Sequence, residues 1–426
     1  MKKPSAPILI ALVFSFVPIA FAQKQEPITR PRTVTTAPAK QVTAAPAKQI
    51  AKVQAKTQEP QAPPARTTET DKKNPAQQPI VARENSSSRL SPSKIHQRIE
   101  EAERMLKTRP HPTALATPAI DTVTVAAMLP DSRIHLFRIS KELFLTKGSE
   151  IPATSTDGLP VMIRVIRANG VNTAVTIFDD KNRSLTPLLV EFPIERRGVF
   201  REMAYYTSAH PALLSNDLTK SGQVYVNSMV DLAAKRLKDK GFPVTSNLIE
   251  IAKRLCIIEH VDHDRFRNDN RIALYDEIYT LYALNELDTY RYSVSSAGAG
   301  GMVQMIPWTY NLMRQRHPGI GLNPDFVLGM RNHGNALEAM LLYMQDTWND
   351  LVANEDVITA LSEKQITPSE LMAAGYNSNA AKIPGYIRRG GSGWRYLIPR
   401  ETQMYLQIYQ SLDVLSKAKA NHTQKK

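Results

Sequence analysis

Residues 295–310 read S-S-A-G-A-G-G-M-V-Q-M-I-P-W-T-Y. Gly298, Gly300 and Gly301 let the backbone come close to a neighbour, Gln304 is a polar residue inside an apolar run, and Pro307 suits the first turn of a helix. Taken alone, such a stretch is a glycine-rich turn that packing explains. As the floor beneath an extended polar ligand it would need an acid and further polar groups from elsewhere in the chain.

On both sides of this turn the apolar period is helical, from Leu218 to Leu415. Asn247 and Glu250 have capping-box spacing, and Leu248, Ile251, Leu255 and Ile258 then form one apolar stripe. At 100° per residue Glu259 falls about 20° from Leu248, so a carboxylate is driven into a hydrophobic face. Asn335 and Glu338 repeat the capping-box spacing, as do Thr367 and Glu370, with Pro368 at the first helical position. A last helix opening near Pro399 sets Tyr405, Ile408, Tyr409 and Leu412 on one face. The expectation is an all-α domain of seven or more helices over residues 216–416, followed by a basic tail, 417–426.

Ahead of it the period changes to two. Residues 161–168 and 171–178 flank Asn169-Gly170, a strong hairpin signal. Further strands are expected near 134–139 and 185–192, with a turn at 179–182. Residues 94–215 therefore read as a small β-rich domain with an N-terminal helix over 95–106; a docking or spacer role is its default, and a ligand-binding module is the lesser reading. The fold class expected is α+β and multidomain.

Residues 23–93 contain no Phe, Trp or Tyr and carry a tandem octapeptide, V-T-T-A-P-A-K-Q at 34–41 and V-T-A-A-P-A-K-Q at 42–49. Such a segment cannot bury enough apolar surface to offset its ordering entropy, and it reads as a disordered, basic tether. The net charge of +14 suggests nucleic acid until its placement is considered. Residues 23–94 hold 13 Lys/Arg against 5 Asp/Glu, so most of the excess sits on the tether. An inert spacer is the default for such a tether and weak attraction to anionic envelope polymers the second reading; a nucleic-acid groove does not fit that placement. Residues 1–22 have the form of a secretory signal, with Lys2 and Lys3, an apolar run over 7–21 and the small-x-small end Ala20-Phe21-Ala22. No later run approaches the ~20 residues of a membrane span, so an exported, periplasmic protein without a transmembrane segment is expected. The single cysteine, Cys256, lies in Leu255-Cys256-Ile257-Ile258 and reads as a buried thiol.

A carboxylic acid among aliphatic side chains is disfavoured in its charged form, which moves it toward the range useful to a general acid. Glu259 meets that requirement, although a glutamate at a helix end can also escape to water or pair with Arg254 or Arg265. His260, Asp262 and His263 lack a spaced third or fourth ligand for zinc, so no metal is expected. The glycine cluster lacks a following Lys-Ser/Thr and a Rossmann-type acidic partner, which argues against phosphate or dinucleotide binding and leaves no cofactor in view.

The order of a glutamate, then S-x-x-G-A-x-G-hydrophobic-x-Q-x-x-P-x-T, then a Tyr-Asn pair, then an Arg-Glu-Thr helix resembles the SLT-type lytic transglycosylases of the goose-lysozyme-like superfamily. Ser295, Gly298, Ala299, Gly301, Met302, Gln304, Pro307 and Thr309 match the glycine-rich block. Gly375-Tyr376-Asn377-Ser378-Asn379 stands where that family has Ala-Tyr-Asn-Ala-Gly, and Pro399-Arg400-Glu401-Thr402 with Tyr405 matches its closing helix. The likeness covers about 246–415. Two departures are visible: His260 follows the glutamate where the family has serine, and Glu259 precedes Ser295 by 36 positions where the family has nine. Glu286 stands nine positions before Ser295 and shares a face with Tyr275, Tyr279 and Tyr282. The aliphatic approach favours Glu259, with 264–290 as a helical insertion; the spacing favours Glu286.

The resemblance implies a lysozyme-like C-terminal domain that cuts peptidoglycan between N-acetylmuramic acid and N-acetylglucosamine and leaves a 1,6-anhydro ring. One glutamate, Glu259, would serve as acid and then base. Ser295, Gln304, Tyr376 and Asn377 would hold the sugars or position the acid. A hydrolytic muramidase and a non-catalytic peptidoglycan-binding scaffold are the alternatives.

Overall fold

The computed structural model describes residues 91–109, 119–196, 198–208, 210–286 and 297–423. The expected signal and nearly all of the expected tether, as well as Ser295, lie outside the described residues. No helix among the described residues is long and apolar enough to cross a membrane.

A β-rich region is followed by a helical C-terminal part, as the change of period predicts. Helix α1 (Pro92–Lys107) leads into β1 (Thr122–Met128), β2 (Ile134–Ser140), a helical turn α2 (Lys141–Phe144), β3 (Glu150–Thr154), β4 (Pro160–Arg167), β5 (Ala174–Asp179), β6 (Ser184–Arg196) and β7 (Val199–Tyr206). The strands form one antiparallel sheet in the order β2-β1-β6-β5-β4-β3, with β7 paired to the far half of β6. The Thr156 N–H donates to the Leu136 carbonyl, so the sheet curls until β2 meets the segment after β3. The Asn169-Gly170 hairpin forms as expected, β4 against β5, but through a short 3-10 turn, Gly170–Asn172.

Strand β1 gives no period-2 signal because both its faces are covered. Val123, Val125 and Ala127 enter the core inside the curled sheet, whereas Ala126 and Met128 pack with Ile95, Ile99 and Leu106 of α1 on the other side. All but the first of its residues are buried.

The helical part comprises α3 (Asn216–Asp239), α4 (Ser246–Ile258), α5 (His263–Asn268), α6 (Arg271–Leu284), α7 (Pro307–Arg316), α8 (Phe326–Arg331), α9 (His333–Val352), α10 (Glu355–Ser362), α11 (Pro368–Asn377), α12 (Ile383–Gly390) and α13 (Arg400–Thr423). Its core gathers the α4 stripe, Met302, Val303 and Met305 of the turn, Leu337, Leu341 and Met344 of α9, and Tyr405, Ile408 and Leu412 of α13. Helices α5 and α6 fill much of the interval between Glu259 and the glycine-rich turn. Gly222 lets α3 cross α6 at close range, since a Cβ there would stand 1.8 Å from the Tyr279 carbonyl oxygen.

The β-rich region and the helices share cores. Leu281 of α6 enters the interior of the curled sheet, and Ala283 and Leu284 pack with α1. The Asn285 side chain accepts from the Thr207 N–H and donates to its carbonyl, extending β7 toward α6. Arg331 of α8 pairs with Glu202 of β7 at 2.7 Å.

One expected capping box forms and two do not. Thr367 and Glu370 cap each other's backbone N–H at the start of α11. At α4 the helix starts after Thr245, whose N–H and hydroxyl both donate to Gln345 of α9. At α9 the cap is Asn332, and Glu338 is buried with Arg236 and Lys240 instead.

Candidate active site

Glu259 caps the C-terminus of α4, following four buried residues, Leu255, Cys256, Ile257 and Ile258. Its own side chain is half-buried. The Tyr405 hydroxyl on α13 donates to its Oε1 at 2.5 Å. Burial drives the Glu259 carboxyl up to about 8; the Tyr405 hydrogen bond works against that rise and the charge of Glu401 adds to it. At neutral pH the group is largely the neutral acid, able to give a proton away. Arg254 takes up Asp413 and Arg265 takes up Glu277, so neither draws the Glu259 carboxylate into a surface ion pair.

The glycine-rich turn closes on itself beside this acid. Gly300 and Met305 form an antiparallel bridge, and Gly298 and Gly301 hold φ of +79° and +75°. At Gly301 a Cβ would stand 2.7 Å from the Met330 carbonyl oxygen, so the turn is pressed on α8 where only glycine fits. Gln304 also takes a left-handed φ, +46°, and its Nε2 donates to the Gly301 carbonyl at 2.9 Å. Part of its hydrogen-bonding capacity therefore shapes the turn.

Tyr376, near the end of α11, donates its hydroxyl to the Val303 carbonyl at 2.6 Å. Burial and the charge of Glu259 hold its phenol well above the usual tyrosine range, and the same two causes act on Tyr405. Helices α4, α11 and α13 thus deliver an acid and two phenols to one side of the turn. Asn377 follows Tyr376 as the half-buried last residue of α11.

His260, read from the sequence as a departure from the family's serine and weighed as a metal ligand, is buried and structural. Its Nε2 lies 3.2 Å from the Met302 carbonyl. A carbonyl only accepts, so Nε2 carries the proton, and burial lowers the imidazole to about 4, leaving it neutral. Its ring meets Tyr282 edge-on at 5.7 Å, and the Tyr282 hydroxyl donates to the Cys256 carbonyl at 2.7 Å. The end of α4 is stitched in this way both to the turn and to α6. No group of three or more His, Cys, Asp or Glu that could hold a metal occurs among the described residues.

Glu286, the acid favoured by spacing, is exposed in the turn after α6. Of the expected site residues, the structure brings Glu259, Gln304 and Tyr376 to one region, sets Asn377 beside Tyr376, and does not describe Ser295. Tyr405, which the sequence places on the apolar face of the last helix and in the closing block of the family likeness, is a site residue that the sequence gives no role at the acid. Its place in the Arg-Glu-Thr helix was the available signal. No family model matches the chain, and no curated protein or solved structure matches it.

Proposed function

We propose that the chain is an exported lytic transglycosylase with a lysozyme-like helical domain, cleaving the β-1,4 bond between N-acetylmuramic acid and N-acetylglucosamine in peptidoglycan. The observation that carries the reading is the carboxyl of Glu259, pushed up to about 8 by burial and held by Tyr405 beside a turn anchored by Tyr376. Glu259 donates its proton to the glycosidic oxygen as the C1–O bond breaks, freeing the N-acetylglucosamine C4 hydroxyl. The muramyl C6 hydroxyl then bonds to C1 and gives its proton to the Glu259 carboxylate, which restores the acid. An internal hydroxyl in place of water needs no second carboxylate nucleophile, unlike most glycosidases. Tyr405 fixes the carboxyl's orientation, and Tyr376 with Gln304 fixes the turn on which the sugars lie.

Mass spectrometry of the fragments released from purified sacculi tests this. The account requires muropeptides lighter by one water than hydrolysed ones. Reducing-end muropeptides would indicate a hydrolytic muramidase, and a protein that pellets with sacculi while releasing nothing soluble would indicate a scaffold.

A further inference from the structure

Beside Glu259 lies a cavity of about 230 Å³ whose far wall comes from the β-rich region. Arg167, Ala168 and Asn169 of the β4–β5 hairpin face residues 259–262 and Arg265 across it. The hairpin is fixed there by a three-membered ion cluster. Glu277 of α6, only 8% exposed, receives Nη1 of Arg167 at 3.0 Å on Oε1, and Arg265 grips both its oxygens at 3.0 and 2.8 Å. The ladder between β4 and β5 carries a bulge between Val165 and Arg167, a device that bends a strand and re-aims the side chains beyond it.

The chemistry of the walls selects the ligand. Arg265 spends Nε on Asp269 and both Nη groups on Glu277, and the two guanidiniums stand among three carboxylates, Glu277, Asp269 and Asp262, so no excess positive charge is left for an anion. What remains is of mixed polarity without excess positive charge: Nε and Nη2 of Arg167, the exposed Asn169 amide, which has no side-chain hydrogen bond among the described residues, and Oδ2 of Asp262, whose Oδ1 caps α5. A neutral ligand rich in hydroxyl and amide groups matches that set. We infer that the β4–β5 hairpin supplies one wall of the saccharide site, with Arg167 and Asn169 hydrogen-bonding an N-acetylated sugar residue next to the one Glu259 acts on. The inference rests on the glycan reading above, and it makes the β-rich region part of the substrate groove instead of a spacer.

The test uses the full chain carrying Glu259→Gln, so that ligand is bound without turnover, and a soluble N-acetylglucosamine tetramer as probe, titrated by calorimetry. Adding Asn169→Ala or Arg167→Ala weakens tetramer binding about tenfold each, the loss of one or two hydrogen bonds. Both variants keep the fold, since Asn169 has no side-chain bond among the described residues and Arg265 still holds Glu277; unfolding midpoints check this. In the active chain the same substitutions raise KM for sacculus fragments. Affinity unchanged in both variants, or no tetramer binding at all, overturns the inference; if wild type still releases muropeptides, the proposed activity survives that result. Hairpin-dependent binding by a chain that releases nothing keeps the saccharide site and removes the cleavage reading.

Discussion

The Tyr405 hydroxyl donates to Oε1 of Glu259 at 2.5 Å across 146 positions of sequence, joining the end of α4 to the second turn of α13. That bond favours the charged form of the carboxyl, while burial and Glu401 oppose it. Tyr405→Phe therefore moves the Glu259 carboxyl higher still. A general acid must begin protonated, so activity falls as pH rises through its pKa, about 8 in the wild type. The variant should lose about tenfold in rate at pH 7 through lost orientation, and its alkaline limb should move up. A pH profile of muropeptide release checks both, and a downward shift would contradict the hydrogen bond's assigned role.

Glu259 also makes stability depend on pH. Its carboxyl is raised from an ordinary 4.5 to about 8 in the folded chain, so between those values the folded state holds a proton the unfolded state has lost. Stability from this group is fully present below about 4.5 and is lost as pH climbs to about 8. Glu259→Gln removes the dependence. Thermal melts should show the variant gaining on wild type from about pH 5 to about pH 8 and holding level above, and parallel curves across that range would count against a buried acid.

Gly301 and Gly298 both hold left-handed φ, but only Gly301 faces backbone within 3 Å of a would-be Cβ. Gly301→Ala should cost about 2–3 kcal/mol, the sum of strain and overpacking, whereas Gly298→Ala should cost about 1 kcal/mol. Urea unfolding measures the difference. Equal costs would mean that α8 can yield and that the turn is not pressed against it.

Glu370 joins two devices, the capping box of α11 and an ion pair with Arg395 at 2.7 Å. Burial works against its charged form, but the bonds from Arg395 and Thr367 outweigh that and hold the carboxyl below its ordinary value. Glu370→Ala should destabilise by about 2 kcal/mol, through loss of the cap and of one partner of a partly buried pair. The stabilisation is present above the ordinary carboxylate range and is lost as pH falls below it. An Ala variant whose deficit persists undiminished at pH 3 would contradict this.

Local pattern made the local structure legible. The Asn169-Gly170 hairpin, the Thr367 to Glu370 capping box and the half-burial of Glu259 all follow from residues within a turn or two of one another. The other two capping boxes fail because Thr245 and Glu338 find tertiary partners, Gln345 in one case and Arg236 with Lys240 in the other. Strand β1 escapes because a strand covered on both faces has no alternation to show. The Tyr405 to Glu259 bond and the Arg167 to Glu277 pair join residues 146 and 110 positions apart, and no period in the sequence encodes such meetings. The glutamate's burial could be read from its neighbours; the phenol that holds it could not.

The most direct test of the central claim compares Glu259→Gln with Glu286→Gln in a sacculus-release assay, with folding confirmed by circular dichroism. Glu259 is held beside the glycine-rich turn and Glu286 is exposed beyond α6. The account predicts that folded Glu259→Gln releases no 1,6-anhydro muropeptides while Glu286→Gln keeps near-wild-type release. Release retained by folded Glu259→Gln, or lost only in Glu286→Gln, would contradict it.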